Sequence, residues 1–242
     1  MQTILITGGN SGIGKELARA FLKLGKQVII TGRNEEKLKQ VASENPKLSY
    51  EVMDVSNFDS VSACFKRVER SHPELDTVIN NAGIQKLINF EKENITKADL
   101  DDEIDINLKG LIYVSSIFLP LLKKQPQAKL IQISSGLAFV PLTKAPIYSA
   151  TKSAVHSFTV SLRHQLINTN VKVVEIIPPM VKIELHRNQT RQPHRAMELT
   201  NFIAETMKSI NSEKLEIPIG VAKVLRTGSR FAPKLFFKII NK

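Results

Sequence analysis

A tyrosine and a lysine four residues apart, Tyr148 and Lys152, fall near the start of a long apolar-periodic segment. On a helix that spacing puts both on one face, about one turn apart. The chemistry such a pair offers is proton transfer. A free phenol has a pKa of roughly 10 and is almost wholly protonated at neutral pH. An adjacent ammonium favours the phenolate and brings the group toward the range where it trades protons. A shift of about three units needs roughly 4 kcal/mol of differential stabilisation, from the lysine together with any neighbouring cationic group. Alone, the pair fits a solvated helix face equally well, so its meaning depends on its surroundings.

The elements that must position it are legible as alternating patterns. Short β-rich runs occur at residues 3–7, 27–31, 48–53, 77–80, 129–134 and 172–177, and helical patterns at 12–24, 35–43, 58–71, 105–123 and 148–167. Six strands alternating with helices predict an α/β fold, a parallel sheet covered on both faces. Right-handed crossovers then give a single doubly wound, Rossmann-type sheet, with binding at the carboxyl ends of its strands.

The first strand runs into Thr7-Gly-Gly-Asn-Ser-Gly12-Ile-Gly14. Glycines 8, 12 and 14 suit a tight turn, a close backbone approach and tight helix–strand contact, and the helix start presents free N–H groups to a pyrophosphate. Gly8, Asn10, Ser11, Gly12, Ile13 and Gly14 are therefore cofactor-binding candidates rather than a plain turn. The second strand ends Gly32-Arg33, with no acid for an adenosine ribose 2′-hydroxyl but a guanidinium able to fork a phosphate. That favours NADP(H) over NAD(H); the alternative is a surface arginine at a helix start. Asp54, followed by Val55, accepts from an adenine amino group or caps the next helix. Asn80-Asn-Ala-Gly83 is compact enough for backbone to pass beside a cofactor, which adds Asn81, Ala82 and Gly83.

The net charge of +11 is uneven: residues 221–242 hold six Lys/Arg and no Asp/Glu, leaving +5 for the other 220 residues. Neither interleaved aromatics nor a groove-reading helix accompanies the charge, so no nucleic-acid role is expected. It suits an anionic cofactor or substrate, or an acidic surface. The chain opens directly as a strand, which leaves no room for a signal peptide, and the apolar stretch 111–122 is too short to span a bilayer. Cys64 excludes an internal disulfide and reads as a small apolar helix residue; no spacing suggests a metal. A cytoplasmic location is expected.

Thr7-Gly-x-x-x-Gly-x-Gly, Asp54-Val55, Asn80-Asn-Ala-Gly83, Asn107-Leu-Lys-Gly110, Ser134-Ser135 and Tyr148-x-x-x-Lys152 occur in order over roughly three quarters of the chain. Together they resemble the short-chain dehydrogenase/reductase family, and segments 80–86, 135–139 and 156–166 look similar to the bacterial DltE-like oxidoreductases. The resemblance implies an oxidoreductase moving a hydride between NADP(H) and a small-molecule carbonyl/alcohol substrate, usually as a homodimer or homotetramer. It casts Tyr148 as general acid/base and Lys152 as the group that holds the nicotinamide ribose and lowers the tyrosine pKa. Ser135, thirteen residues before the tyrosine, positions the substrate oxygen. Asn107 holds a water joining Lys152 to solvent.

Two departures stand out. Where the family often has Pro-Gly-x-Val-x-Thr, this chain has Pro178-Pro-Met-Val181-Lys-Ile183. Pro178 and the Val181 backbone remain candidates for the nicotinamide carboxamide, but Ile183 cannot hydrogen-bond it. A Gly-rich seventh strand is not evident, and residues 215–219 are its candidate. The family places a substrate lid over residues 183–210; Arg187, Arg191 and Arg195 there read as a solvated face in preference to an anion site. His156 and His164 read as packing or polar-face residues. In the tail, a helix from Pro233 groups Leu235, Phe236, Ile239 and Ile240 opposite Lys234, Lys238, Asn241 and Lys242, expected to pack on its own globule or a neighbouring subunit, with an anionic membrane surface as the lesser choice. The competing reading of the whole is an NADP(H)-binding interaction protein with little turnover.

Overall fold

The computed structural model describes residues 2–91, 94–183, 196–210 and 212–242. Seven parallel strands run through it: β1 Thr3–Thr7, β2 Gln27–Gly32, β3 Leu48–Val52, β4 Leu75–Asn80, β5 Ala128–Ile133, β6 Val171–Ile177 and β7 Glu216–Pro218. Their order is β3-β2-β1-β4-β5-β6-β7. Strand side chains alternate between two cores, so Ile4 and Ile6 face one layer and Leu5 the other. Helices α1 (Gly12–Lys23), α2 (Glu35–Ala42) and the later α7 (Leu199–Ser209) cover the first face. The second is covered by α3 (Phe58–Ser71), α5 (Gly110–Lys123) and α6 (Pro146–Gln165). A shorter helix, α4 (Lys97–Ile104), leads into α5. The chain closes with α8 (Ala222–Phe231) and α9 (Pro233–Ile240). Between β1 and β4 the sheet order reverses, and a crevice opens there at the carboxyl ends of the strands.

Local sequence explains the helix bounds. In α1, Gly14, Leu17, Ala18 and Phe21 form the buried stripe. Gly25, at φ +75°, ends the helix; its N–H and that of Lys26 return to the carbonyls of Leu22 and Phe21. The start of α4 is set by a reciprocal cap, Thr96 and Asp99 each accepting the other's backbone N–H. That helix escapes a search for apolar periodicity because Glu103 is its one buried residue.

The structure corrects several expectations. The helix expected over 105–123 begins as a π turn, Asp105–Lys109. The weak seventh strand is real: β7 pairs with β6, and Pro218 is tolerated because β7 is an edge. Of the stretch expected to form a lid, 184–195 with its basic stripe lies outside the described residues. Helix α7 is core, with Phe202 fully buried against the α1 side of the sheet. The continuous helical run Lys97–Lys123 has the length and apolar content to cross a membrane. Its Val114, Phe118, Leu121 and Leu122 are nevertheless buried in the second core. Cys64 is buried, and desolvation pushes its thiol up to about 12, in keeping with a packing role.

His156 has a defined partner. Its Nδ1 lies 2.8 Å from Oε2 of Glu175, a fully buried residue of β6. The carboxylate raises the His156 pKa above its ordinary 6.5, burial opposing it. Glu216, paired with Arg163 and Arg226, borders the same histidine. A raised folded-state pKa contributes stability that is complete below the unfolded value and lost as pH climbs through the folded one. Urea denaturation should therefore show wild type exceeding His156→Gln most below pH 6.5, with the gap shrinking at alkaline pH. An equal gap at all pH values would refute the assignment.

Candidate active site

The two loops that meet at the switch point are joined by one threonine. The Thr7 hydroxyl accepts from the N–H of Asn81 at 3.0 Å and of Ala82 at 2.9 Å, and donates to the Ile79 carbonyl at 3.5 Å. Those bonds use its full capacity of one donor and two acceptor positions. Asn81 answers with its side chain, Nδ2 donating to the carbonyls of Thr7 at 2.9 Å and Gly8 at 3.3 Å. The Asn80-Asn-Ala-Gly83 segment thus holds the ends of β1 and β4 together, while Asn80 is itself anchored to Ser115.

The glycine-rich loop packs against this clasp. A Cβ on Gly14 would lie 2.4 Å from the Gly8 carbonyl oxygen and 2.5 Å from Asn81 Nδ2, so only glycine fits. Gly8 and Gly12 have φ of +65° and +53°. Ser11 occupies the N-cap position of α1 with no side-chain capping bond, and the first turn carries no acid. The N–H groups of Gly12, Ile13 and Gly14 are therefore left without intrahelical acceptors. An anionic pyrophosphate fits such a cradle. Beside Gly12 the nearest side chain is that of Ile183, 3.9 Å from where a Cβ would stand.

At the other end of the crevice Arg33 is exposed, with no acidic partner recorded among the described residues. Its neighbour Asn34 caps α2 by accepting from the Lys37 N–H. Asn10 reaches across to Gly32, its amide 3.5 Å from where a Gly32 Cβ would sit. Asp54 does not cap α3; Asn57 does, accepting from the Ser60 N–H. Asp54 instead binds the Ser56 N–H at 3.0 Å and hydroxyl at 2.7 Å with one oxygen, an Asx turn that shapes the crevice wall. Val55 is buried, and Gly110 lets α5 approach it: a Cβ there would be 2.9 Å from the Val55 carbonyl.

Asn107, Ser135, Tyr148 and Lys152 converge beyond β4 and β5. Pro146, in the first turn of α6, fits the missing N–H there and starts the helix two residues before Tyr148. Lys152 Nζ donates to the Ile133 carbonyl at 2.9 Å and stands 5.6 Å from the Tyr148 ring centroid. Ser135 caps the short 3-10 turn Gly136–Ala138 by accepting from the Leu137 N–H at 3.1 Å, and its hydroxyl acts to lower the pKa of the Tyr148 phenol. Asn107, in the π turn, exchanges both side-chain bonds with Ile84, accepting its N–H and donating to its carbonyl, each at 2.8 Å. It also donates to Thr151 at 3.3 Å. Gly83 fits between these groups: a Cβ there would be 3.2 Å from Asn107 Oδ1 and 3.8 Å from Lys152 Nζ. The Pro178 carbonyl takes the Gly136 N–H and so braces the turn behind Ser135. Val181 is held by a parallel bridge to Met197 that uses the backbone of Met180 and Lys182, leaving its own N–H and carbonyl outside that bridge.

The protonation pattern departs from the sequence expectation that the lysine lowers the tyrosine pKa. Burial pushes Tyr148 up to about 12; the Ser135 bond opposes this and the Glu103 charge adds to it. Burial pulls Lys152 down to about 8 against the attraction of Glu175 and Glu103. The reason is geometric: the ammonium is directed at the Ile133 carbonyl and the ring face, and the hydration lost by the buried phenol outweighs its attraction.

Sequence reading assigned no role to Thr7 or Glu103. Glu103 lies one turn before Asn107, is fully buried, and accepts the Lys86 N–H at 2.7 Å. The pair thus clamps Ile84 and Lys86, two residues apart on the loop after β4, from one helix face. An acid at i−4 from Asn107 was the available signal, masked by its polar surroundings. An open cleft of about 350 Å³ between 139–141 and the start of α9 lies to one side of these groups.

The fold and site define a doubly wound dinucleotide-binding protein with a buried serine–tyrosine–lysine cluster at the switch crevice. The chain belongs to the short-chain dehydrogenase family, whose model matches residues 2–194. Among its relatives, an uncharacterised oxidoreductase, DltE, of Bacillus subtilis (strain 168) is 38% identical over 242 residues, covering 99% of this chain and 96% of that one. An uncharacterised oxidoreductase of Staphylococcus aureus (strain USA300) is 37% identical over 179 residues, covering 73% and 77%. A short chain dehydrogenase from Burkholderia cenocepacia in complex with NADP superposes with a TM-score of 0.86 over 100% of both chains at 23% identity. One from Burkholderia phymatum in complex with NAD gives 0.84 at 19% identity, over 100% and 95%. A nicotinamide dinucleotide is the cofactor class these relations support.

Replacing Thr7 by the near-isosteric valine removes the acceptor of two N–H groups. Each buried group left unpaired costs about 1–3 kcal/mol. Thr7→Val should therefore lower the urea midpoint substantially, whereas Thr7→Ser should preserve most of it. Equal stability of Thr7→Val and wild type would show that the clasp contributes nothing.

Proposed function

We propose that the protein is an NADP(H)-dependent reductase or dehydrogenase acting on a small carbonyl/alcohol pair, with Tyr148 as general acid/base. The observation that carries this reading is the burial of Tyr148, Ser135 and Lys152 together beside Gly83, at the carboxyl ends of the strands. The nicotinamide, when bound, supplies the hydride chemistry. Ser11, Gly12, Ile13 and Gly14 would offer N–H groups and a hydroxyl to the pyrophosphate, Asp54 and Val55 would border the adenine, and Asn81, Ala82 and Gly83 would line the middle of the cofactor's path. Lys152 would hold the nicotinamide ribose, and the Val181 N–H and carbonyl, with the remaining acceptor position of the Pro178 carbonyl, would be available to the carboxamide.

Ser135 orients the substrate oxygen toward the Tyr148 hydroxyl and stabilises the charge that develops on it. A phenol with a pKa near 12 keeps its proton at neutral pH, which suits donation to a nascent alkoxide and hence carbonyl reduction. Working as a base for alcohol oxidation requires extra positive charge near the phenol. Tyr148→Phe removes the transferable proton but retains the ring. On a carbonyl that wild type reduces, the variant should bind cofactor normally and turn over about 10²–10⁴-fold more slowly. Near wild-type turnover would exclude Tyr148 as the acid. Cofactor binding without reduction of any carbonyl in a broad panel would favour an interaction protein, a reading to which Ile183 beside Gly12 lends weight.

The preference for NADP(H) rests on Arg33, exposed and without an acidic partner among the described residues, next to a strand end without an acid. Arg33→Ala should narrow the NADPH-over-NADH gap by about 1.5–3 kcal/mol, the range for hydrogen bonds to charged groups. Gly32→Asp should reverse the preference by repelling the phosphate, and its Cβ has ordinary clearance from Asn10. Fluorescence titration with both nucleotides decides; tighter NADH binding by wild type would sink the assignment.

A further inference from the structure

We propose that the outer face of the α8–α9 pair is a docking surface for an anionic lipid bilayer. This does not depend on the catalytic reading. The pair is folded onto the protein through one side. Ala222 and Leu225 are buried, and Leu225 reaches toward Gly136. The Phe236 ring fills the notch at Gly228, where a Cβ would lie 2.1 Å from it. Asn241 fastens the end of α9, accepting from the Thr143 N–H at 2.7 Å and donating to the Pro141 carbonyl at 3.1 Å. The apolar set expected on one side of the tail is thereby split. Phe236 and Ile240 turn toward the protein, while Leu235 and Ile239 remain exposed.

Two further residues join Leu235, itself 56% exposed, on that outer face. Val224 is 54% exposed and Phe231, at the turn between the helices, 85%. A phenyl ring so exposed at the tip of a docked helix pair buries little of its apolar surface within the chain. Along the same segment Arg230, Lys234, Lys238 and Lys242 have no acidic partner among the described residues, whereas Lys223 and Arg226 are paired with Glu205 and Glu216. Glu216 is the last acid in the chain.

Charge chooses the occupant. A second copy seated here about a two-fold axis would lay the four cations Arg230, Lys234, Lys238 and Lys242 against the same four, with no Asp or Glu from residues 221–242 of either chain to relieve them. A bilayer with acidic headgroups offers the complement: the ring and aliphatic side chains enter the headgroup boundary, and the lysine stems snorkel to the phosphates.

The chain has no tryptophan, so Phe231→Trp places a single indole reporter at the tip. Its emission should shift to the blue with phosphatidylglycerol-containing vesicles and stay unchanged with phosphatidylcholine alone. In vesicle sedimentation the full-length protein should bind the acidic vesicles and be released by salt. Lys234→Gln and Lys238→Gln should each weaken binding about five-fold, and Phe231→Ser should abolish it without altering the circular dichroism spectrum or the oligomeric mass. Failure of wild type to bind acidic vesicles at low salt overturns the proposal. So does retention of binding by Phe231→Ser, which would leave only diffuse attraction of the kind polyglutamate also satisfies. A fall in oligomeric mass in Phe231→Ser would make this face a contact between copies and overturn it too.

Discussion

The crevice depends on the hydrogen bonds that Thr7 and Asn81 exchange across β1 and β4. A parallel sheet separates its connections at the point where strand order reverses, and nothing in the ladder itself joins the two loops that leave there. One hydroxyl and one carboxamide do so here, with five bonds between them. The consequences propagate outward. Gly8 must lack a Cβ because Ala82 Cα would stand 3.0 Å from it, and Gly14 because of Asn81 itself. With Gly14 fixed, the start of α1 is brought down onto the crevice. With Ala82 fixed, Gly83 passes between Asn107 and Lys152. The glycine-rich loop and the Ser135–Tyr148–Lys152 cluster are thus two sides of one clasp.

Much of the site was legible because chemistry at close quarters restricts residue type more than position in a core does. Glycines needed for positive φ or backbone contact, and a Tyr-x-x-x-Lys pair on one helix face, leave marks in sequence that survive without an alignment. Asp54 shows the limit. A carboxylate after a strand fits an adenine contact, a helix cap or an Asx turn, and only the positions of Ser56 and Asn57 exclude the cap. Glu103 was missed for the opposite reason: an acid in a polar helix reads as solvated, and its burial is set by Lys86, far from it along the chain.

The same physics sorts the fold. Strands buried on both faces read as continuous β-branched runs, and all of the first six were placed within two residues at each end. The edge strand β7 was ambiguous because an edge relaxes every rule that identifies a strand, admitting Pro218. The tail was ambiguous because an amphipathic helix encodes a face but not a neighbour. Gly228 settles which half of that face turns inward, since only a residue without a side chain can receive the Phe236 ring.

Electrostatics at the cluster follow from where the acids lie. Glu103 on α4 and Glu175 on β6 are both fully buried and both act on Lys152, from two different elements packed against α6. Burial pulls the ammonium pKa down; the two carboxylates restrain that fall, and the pKa settles at about 8. Glu103 at the same time raises the Tyr148 pKa, so one buried acid keeps protons on both members of the pair. Glu175 is itself tied to His156, one turn beyond Lys152 on α6. A row of Tyr148, Lys152 and His156 on one helix face is therefore matched by two acids contributed from elsewhere in the fold. The protonation state of the phenol is set by the packing of α4 and β6 against α6 rather than by the tyrosine–lysine spacing alone.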